Sequence, residues 1–166
     1  MTVILGIDPG LQRTGWGIIV SQSNQLSFID CGVIATQASL SLPERLKQLH
    51  DGLTAAVAEY RPEEAAVEET FVSVNGASTL KLGQARGAIL LTLSLAGLTA
   101  FEYSATMIKK SVVGTGHAEK GQIAMMVKTL LPASQAKSAD AADALAAAIA
   151  HAHQRTVNTL IAGAKR

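Results

Sequence analysis

Residues 3–10 read Val3-Ile4-Leu5-Gly6-Ile7-Asp8-Pro9-Gly10. A short apolar run rich in β-branched residues predicts a buried strand. Pro9 and Gly10 end it, because proline cannot donate to a ladder and glycine accepts turn dihedrals. Asp8 stands at the end of this strand. A carboxylate there either caps the turn or belongs to a cation site, and this stretch alone leaves both alternatives open.

The composition of the 166-residue chain is typical of one compact globular domain. We place that domain at residues 1–154 and a frayed, weakly basic tail at 155–166. The single cysteine, Cys31, excludes an internal disulfide. The N-terminus lacks the features of a signal peptide, and the longest uncharged stretch, 87–101, is shorter than a membrane span. We therefore predict a cytoplasmic protein without membrane contact.

The small net charge of +1 conceals an uneven distribution of charged residues. Residues 42–69 carry a net charge of −4, whereas residues 104–137, with five lysines and one glutamate, carry +4. A basic segment of this kind is either a solvated face or a phosphate-binding surface. The charge count leaves both alternatives open.

The pattern of apolar runs predicts the order of strands and helices. Short runs joined by short turns predict an antiparallel meander of three strands ending at Ala35. Ser41 and Glu44 have capping-box spacing, so a helix runs from there to about Tyr60. Further along, we predict strands at 64–68 and 99–103, and helices at 77–96, 105–112, 118–131 and 139–153. This order indicates an α/β fold with a five-stranded mixed sheet: strands 1–3 antiparallel, strands 1, 4 and 5 parallel, and helices on both faces.

Four carboxylates are candidates for one site. Ligands collect at the carboxyl ends of parallel strands, where Asp8 and either Glu68 or Glu69 lie. Adjacent strand residues face opposite ways, so the pattern does not choose between the two glutamates. Asp140 and Asp143 lie three residues apart on one face of an alanine-rich helix. They either complement the helix dipole or join the strand carboxylates.

If these acids converge, they cannot all ionise unaided. Oxygen-only ligands favour Mg²⁺, with Mn²⁺ as its substitute, over zinc. Two such ions about 4 Å apart would clamp a scissile phosphate and activate a water molecule. The carboxylates therefore favour phosphodiester hydrolysis without a covalent intermediate.

Four stretches, in order and over nearly the whole chain, resemble the RuvC family of Holliday-junction resolvases. They are residues 4–10, Lys81-Leu82-Gly83-Gln84-Ala85-Arg86-Gly87, Val112-Val113-Gly114 with Ala118-Glu119-Lys120, and residues 139–146. The resemblance implies a ribonuclease-H-like fold and Mg²⁺-dependent, paired, symmetric nicking of four-way DNA junctions in recombination and repair. It also implies a homodimer and cooperation with the branch-migration motor RuvAB.

The resemblance also implies roles for individual residues. It makes Asp8, Glu68, Asp140 and Asp143 the catalytic metal ligands, and thereby chooses Glu68 over Glu69. It assigns DNA contacts to Lys109, Lys120 and Phe71. Without it, each lysine is either a surface cation or a phosphate contact, and Phe71 is either a core residue or a platform for an unpaired base. The helix over 77–96 resembles the family's dimer helix, and simple core packing is its alternative role.

Two other functions compete with this interpretation. Actin-like ATP-dependent phosphotransferases share the opening seen here as Asp8-Pro9-Gly10, but they need two such halves around a nucleotide, and 166 residues supply one. A non-catalytic junction-binding module would keep the lysines and Phe71. Such a module would have no reason to keep four acids that repel DNA.

Overall fold

The computed structural model describes residues 1–69 and 75–164, with the backbone alone for Lys120 and for residues 156–164. The strands are β1 (Thr2–Asp8), β2 (Arg13–Gln22), β3 (Gln25–Ala35), β4 (Glu64–Glu68) and β5 (Thr99–Tyr103). The helices are α1 (Leu42–Tyr60), α2 (Gly76–Leu95), α3 (Ala105–Val113), α4 (Lys120–Leu130) and α5 (Ala139–Ala164).

The five strands form one mixed sheet in the order β3-β2-β1-β4-β5. The pairs β1–β2 and β2–β3 are antiparallel, whereas β1–β4 and β4–β5 are parallel. The predicted meander and the predicted parallel strands are therefore confirmed. Because β1 and β4 run in the same direction, their last residues, Asp8 and Glu68, lie at the same edge of the sheet.

Strand residues alternate between two apolar cores, one on each face of the sheet. Ile4 and Ala66 pack in a core with α3, α4 and α5. Leu5 and Val67 pack on the opposite face, in a core with α1 and α2. Helices thus cover both faces, and each strand residue is assigned to one core or the other by its place in the alternation.

Local signals account for the ends of α1. The Ser41 backbone N–H donates to Glu44 Oε2 at 2.9 Å, as the capping box predicts. At the other end Arg61 is left-handed, with a φ of 47°, and Pro62 follows. Proline restricts the residue before it to non-helical conformations, so the helix ends where the sequence predicts.

Helix α5 differs from its prediction at its C-terminal end. Helical backbone continues to Ala164, whereas the sequence predicted an end at His153. Val157, Leu160 and Ile161 have helical apolar spacing, which the polar residues between them obscure. Whether residues 155–166 stand outside the domain stays a prediction. Within the described residues 1–69 and 75–164, the helices are too short or too polar to cross a membrane.

Candidate active site

Three carboxylates from distant parts of the chain line one cavity of about 240 Å³. Asp8 comes from the end of β1, Glu68 from the end of β4, and Asp143 from α5. Lys109 of α3 lines the same cavity. The remaining wall is apolar and is formed by Ala105, Ile108, Ile123 and Ala146.

The alternation of strand residues explains which carboxylates reach this cavity. On β4, Ala66 packs on the α5 face of the sheet and Val67 on the other face. Glu68 therefore points to the α5 face, and it lines the cavity. Glu69 is exposed, and its backbone N–H donates to the Tyr103 carbonyl at 2.8 Å. The structure thus distinguishes two neighbours that the sequence pattern leaves equivalent.

Helix α5 reaches the strand ends because glycines let its backbone lie directly on the sheet. A Cβ atom at Gly6 would overlap the carbonyl oxygen of Ala144, and one at Gly15 would overlap that of Asp140. Both glycines lie on the α5 face, on the neighbouring strands β1 and β2. The missing side chains bring the helix into backbone contact, and this contact places Asp143 beside Asp8.

Asp140 is not among the residues that line the acidic cavity. Its Oδ2 atom accepts a hydrogen bond from Arg13 Nε at 2.7 Å, in a pair whose side chains are 49% and 32% exposed for Arg13 and Asp140. The structure therefore brings Asp8, Glu68 and Asp143 together and places Asp140 one helical turn away, against Arg13. Its role as a metal ligand stays a prediction.

The structure describes the three residues predicted to contact DNA to different extents. Lys109 lines the acidic cavity. Lys120 begins α4, but its side chain lies outside the described atoms. Phe71 lies outside the described residues altogether. The predicted DNA contacts of all three residues stay predictions.

Sequence reasoning missed Arg13 as a partner of a site carboxylate. Arg13 begins β2 and lies 127 positions from Asp140 in the chain. It follows the Pro9-Gly10 turn closely, and this is the one signal that points to a place beside Asp8. Nothing in the sequence joins it to α5, because the pair forms only when the helix rests on the sheet.

A second missed feature is a buried polar network on the α5 face. Tyr103 Oη and His151 Nδ1 are 2.6 Å apart, and His151 Nε2 lies 2.7 Å from Glu64 Oε2. Arg155 Nε donates to the same Glu64 oxygen at 2.6 Å. Burial of the imidazole lowers the pKa of His151, and this outweighs the raising effect of the Glu64 carboxylate. The neutral imidazole satisfies both neighbours, accepting from Tyr103 and donating to Glu64.

Comparisons with known proteins show which family the chain resembles. A family model described as "Crossover junction endodeoxyribonuclease RuvC" matches residues 4–151. The crossover junction endodeoxyribonuclease RuvC of Paramagnetospirillum magneticum is 60% identical over 161 residues, which cover 97% of each chain. The corresponding protein of Methylocella silvestris is 60% identical over 158 residues, covering 95% of this chain and 90% of that protein.

Solved structures show the same similarity. Thermus thermophilus RuvC matches with a TM-score of 0.85 at 30% identity, over 95% of this chain and 97% of that chain. The same protein in complex with a Holliday junction substrate matches with a TM-score of 0.88 at 32% identity, over 96% and 98% of the two chains. These similarities confirm the predicted ribonuclease-H-like fold.

Proposed function

The chain belongs to the RuvC family of crossover junction endodeoxyribonucleases, and we propose that it cuts four-way DNA junctions by metal-dependent hydrolysis at the cavity lined by Asp8, Glu68 and Asp143. Members of this family are hydrolases that resolve Holliday junctions. The convergence of three carboxylates from β1, β4 and α5 on one cavity carries the proposal. Nothing but folding brings residues so distant in sequence to one cavity, and carboxylates gathered in this way favour the binding of a cation.

The donor set fits a hard divalent cation. Its atoms are carboxylate oxygens, which suit Mg²⁺ or Mn²⁺. Among the described residues, those that line the cavity include neither cysteine nor histidine. As the side chains stand, no group of three or more Asp, Glu, His or Cys residues within 1–69 and 75–164 is arranged to hold one ion. Bound metal ions would polarise the phosphate and supply a nucleophilic water at neutral pH.

The protein itself holds the carboxylates in place, supplies a positive charge and lines part of the cavity with apolar side chains. The strand ends and α5 are anchored in the sheet and its core, so the carboxylates are held on rigid elements. Lys109 places a cation where the phosphate must lie, which offsets repulsion between the DNA and the acids. Ile108 and Ile123 give the wall an apolar surface that strengthens electrostatic interactions beside it.

DNA binding beyond the cavity is assigned to the basic segment 104–137. This segment contains α3 and α4, which pack with α5 on the face of the sheet that carries the cavity. Lys109 and Lys120 would contact backbone phosphates, and Phe71 would stack on an unpaired base near the junction. These contacts are independent of sequence, so they supply affinity rather than base recognition.

Junction selectivity is assigned to a homodimer that holds two active sites at a fixed separation. The outer face of α2 supports this role. Leu80, Leu91 and Leu95 are 64%, 60% and 72% exposed, and they share this face with Gly83 and Gly87, around which there is open space. Large apolar side chains around small residues are suited to close packing against a second copy. Cooperation with RuvAB stays a prediction of the family resemblance.

The test offers a synthetic four-way junction and a linear duplex of the same sequence, each in Mg²⁺, Ca²⁺ or EDTA. We expect junction binding in all three conditions, and cutting of the junction in Mg²⁺ alone. Asp8→Asn should lower the cutting rate by more than about 100-fold. The same variant should retain or strengthen junction binding, because one negative charge is removed.

Asp51→Asn is the matched control. Asp51 lies on α1, on the opposite face of the sheet, where it is exposed and pairs with Lys47. This variant should cut at the normal rate. Wild-type cutting by the Asp8→Asn protein, or equal cutting of duplex and junction, would contradict the proposed function.

A further inference from the structure

The Arg13–Asp140 pair connects the acidic cavity to a second, more basic one. The second cavity has a volume of about 500 Å³ and is lined by Arg13 together with Gln135, Lys137 and Ser138. Ala141 of α5 also lines it, whereas Asp143 and Ala146 of the same helix line the acidic cavity. The first turns of α5 therefore separate two cavities of opposite charge, and Asp140 lies between them.

Among the described residues, one exposed side-chain interaction holds Arg13. Its Nε atom donates to Asp140, and among the described residues its terminal Nη atoms have no hydrogen-bond acceptor. Ion pairs with this degree of exposure contribute little to stability. A guanidinium with free Nη groups is suited to bidentate recognition of a phosphate. Exchanging Asp140 for a phosphate therefore improves the hydrogen bonding of Arg13 at a small cost.

The second cavity also contains one acid, Asp30, whose charge is already engaged. Tyr60 Oη donates to Asp30 Oδ2 at 2.5 Å, and the Cys31 backbone N–H donates to Asp30 Oδ1 at 2.8 Å. With Asp30 held in this way, Arg13 and Lys137 are the cationic side chains of the lining that face an anion in this cavity. A DNA strand with one phosphate at the acidic cavity would bring a neighbouring phosphate towards them.

We propose that Arg13 holds Asp140 away from the acidic cavity in the DNA-free protein. When DNA binds, the Arg13 guanidinium exchanges Asp140 for a backbone phosphate as its hydrogen-bond partner. Asp140 is then released to join Asp8, Glu68 and Asp143. Arg13 is a positioning residue in this scheme, since it acts on the site through Asp140. The second cavity is a binding site for a DNA phosphate other than the one that is cut. This inference rests on the proposed function.

The first measurement is the affinity of the DNA-free protein for Mn²⁺ or Ca²⁺, by titration calorimetry. Arg13→Gln frees Asp140, so we expect metal affinity to rise about fivefold or more. In an Asp140→Asn background the same substitution should leave metal affinity unchanged. Lys137→Gln is the matched control: it removes a cation from the same cavity without touching Asp140, so metal affinity should stay the same.

The second measurement is junction affinity in EDTA as a function of salt. Both Arg13→Gln and Lys137→Gln should weaken binding, and each should lower the salt slope by about one. Arg13→Lys retains the charge but loses the planar fork, so it should restore the salt slope and only part of the affinity.

An unchanged metal affinity in Arg13→Gln overturns the proposed restraint on Asp140, as does a rise that persists in the Asp140→Asn background. An unchanged salt slope in Arg13→Gln overturns the phosphate transfer. Either failure leaves junction cutting by the wild-type protein intact. If the proposed function were wrong, the wild-type protein would not cut the junction at all. The two failures are therefore distinguishable.

Discussion

At the scale of single residues, Lys109 lines the same cavity as three carboxylates. The lysine and the carboxylates have different roles in the site. The carboxylates are suited to hold metal ions and repel DNA, whereas the lysine attracts the phosphate towards them. Substitutions of the two kinds should therefore have different consequences. Loss of an acid should abolish cutting and retain binding, but loss of the lysine should weaken both.

Lys109→Ala tests this distinction. We expect weaker junction binding and a salt slope reduced by about one, because one phosphate contact is lost. Cutting at saturating protein should also slow, since the lysine lies among the carboxylates that face the scissile phosphate. Filter binding or anisotropy in EDTA at several salt concentrations measures the first effect, and single-turnover cutting in Mg²⁺ measures the second.

Lys47→Ala is the matched control for Lys109→Ala. Lys47 is an exposed cation on α1 that pairs with Asp51, and α1 packs on the opposite face of the sheet. Its removal should change neither measurement. If Lys109→Ala were indistinguishable from this control, Lys109 would be an ordinary surface cation.

At the scale of elements, the position of α5 depends on glycines in the strands beneath it. Gly6→Ala would place a Cβ against the Ala144 carbonyl, next to Asp143. The helix must then shift, so we expect destabilisation of about 1–3 kcal/mol and a large loss of cutting in Mg²⁺. Urea denaturation and the junction assay measure the two effects.

Gly121→Ala is the matched control for the glycine substitution. Gly121 is the second residue of α4, and a Cβ there meets nothing within 4 Å. Alanine favours the helix over glycine, so stability should rise by up to about 1 kcal/mol. Equal effects of the two substitutions on stability would mean that α5 does not need backbone contact with β1.

The Tyr103–His151–Glu64 network fastens α5 to β4 and β5 and makes stability depend on pH. The pKa of His151 in the folded protein is lowered by burial, below its usual value of about 6.5. As pH falls through about 6.5, the unfolded chain takes up a proton that the folded protein resists. The contribution of His151 to the free energy of unfolding is therefore complete above the pKa of the residue in the unfolded chain. It is lost as pH falls towards the lower pKa of His151 in the folded protein.

His151→Gln should flatten this dependence. At pH 7.5 the variant should lose about 1–3 kcal/mol, because a buried hydrogen-bonding partner of Tyr103 and Glu64 is altered. Below pH 6.5 the difference in the free energy of unfolding between the variant and the wild type should become smaller. Only the wild type has a buried imidazole that must stay neutral as pH falls. Urea denaturation at several pH values between 7.5 and 5 measures this difference, and a constant difference would contradict the assigned pKa direction.

At the scale of the whole molecule, the exposed face of α2 should decide whether two active sites act together. Leu91→Lys places a charge on this face, where burial against a second copy would be costly. We expect sedimentation to show a monomer. We also expect the loss of paired nicks on a junction, because one subunit cannot engage two strands.

Met125→Lys is the matched control for the substitution on α2. Met125 is 62% exposed on α4, so the chemical change and the exposure are nearly the same. This variant should retain the oligomeric state of the wild type. If Leu91→Lys had the same oligomeric state as this control, the α2 face would not be the dimer interface.

The amino-acid sequence by itself determined the elements and which strands of the sheet run parallel or antiparallel. The ends of α1, the bounds of β4 and β5 and the mixed sheet all agree with prediction. These features depend on apolar periodicity, capping residues and turn residues, which act within a few positions of one another. The one large error, at the end of α5, concerns a segment whose apolar spacing is interrupted by polar residues.

Tertiary structure alone decided which side chains meet. It joins Arg13 to Asp140 and seats His151 between Tyr103 and Glu64. It also directs Glu68 towards the cavity, whereas the strand pattern left Glu68 and Glu69 equivalent and only the family resemblance chose between them. Each of these outcomes depends on where α5 rests on the sheet, and that position depends on glycines far away in the chain. Local sequence patterns contain no information about such contacts, because the partners become neighbours only when the helix packs.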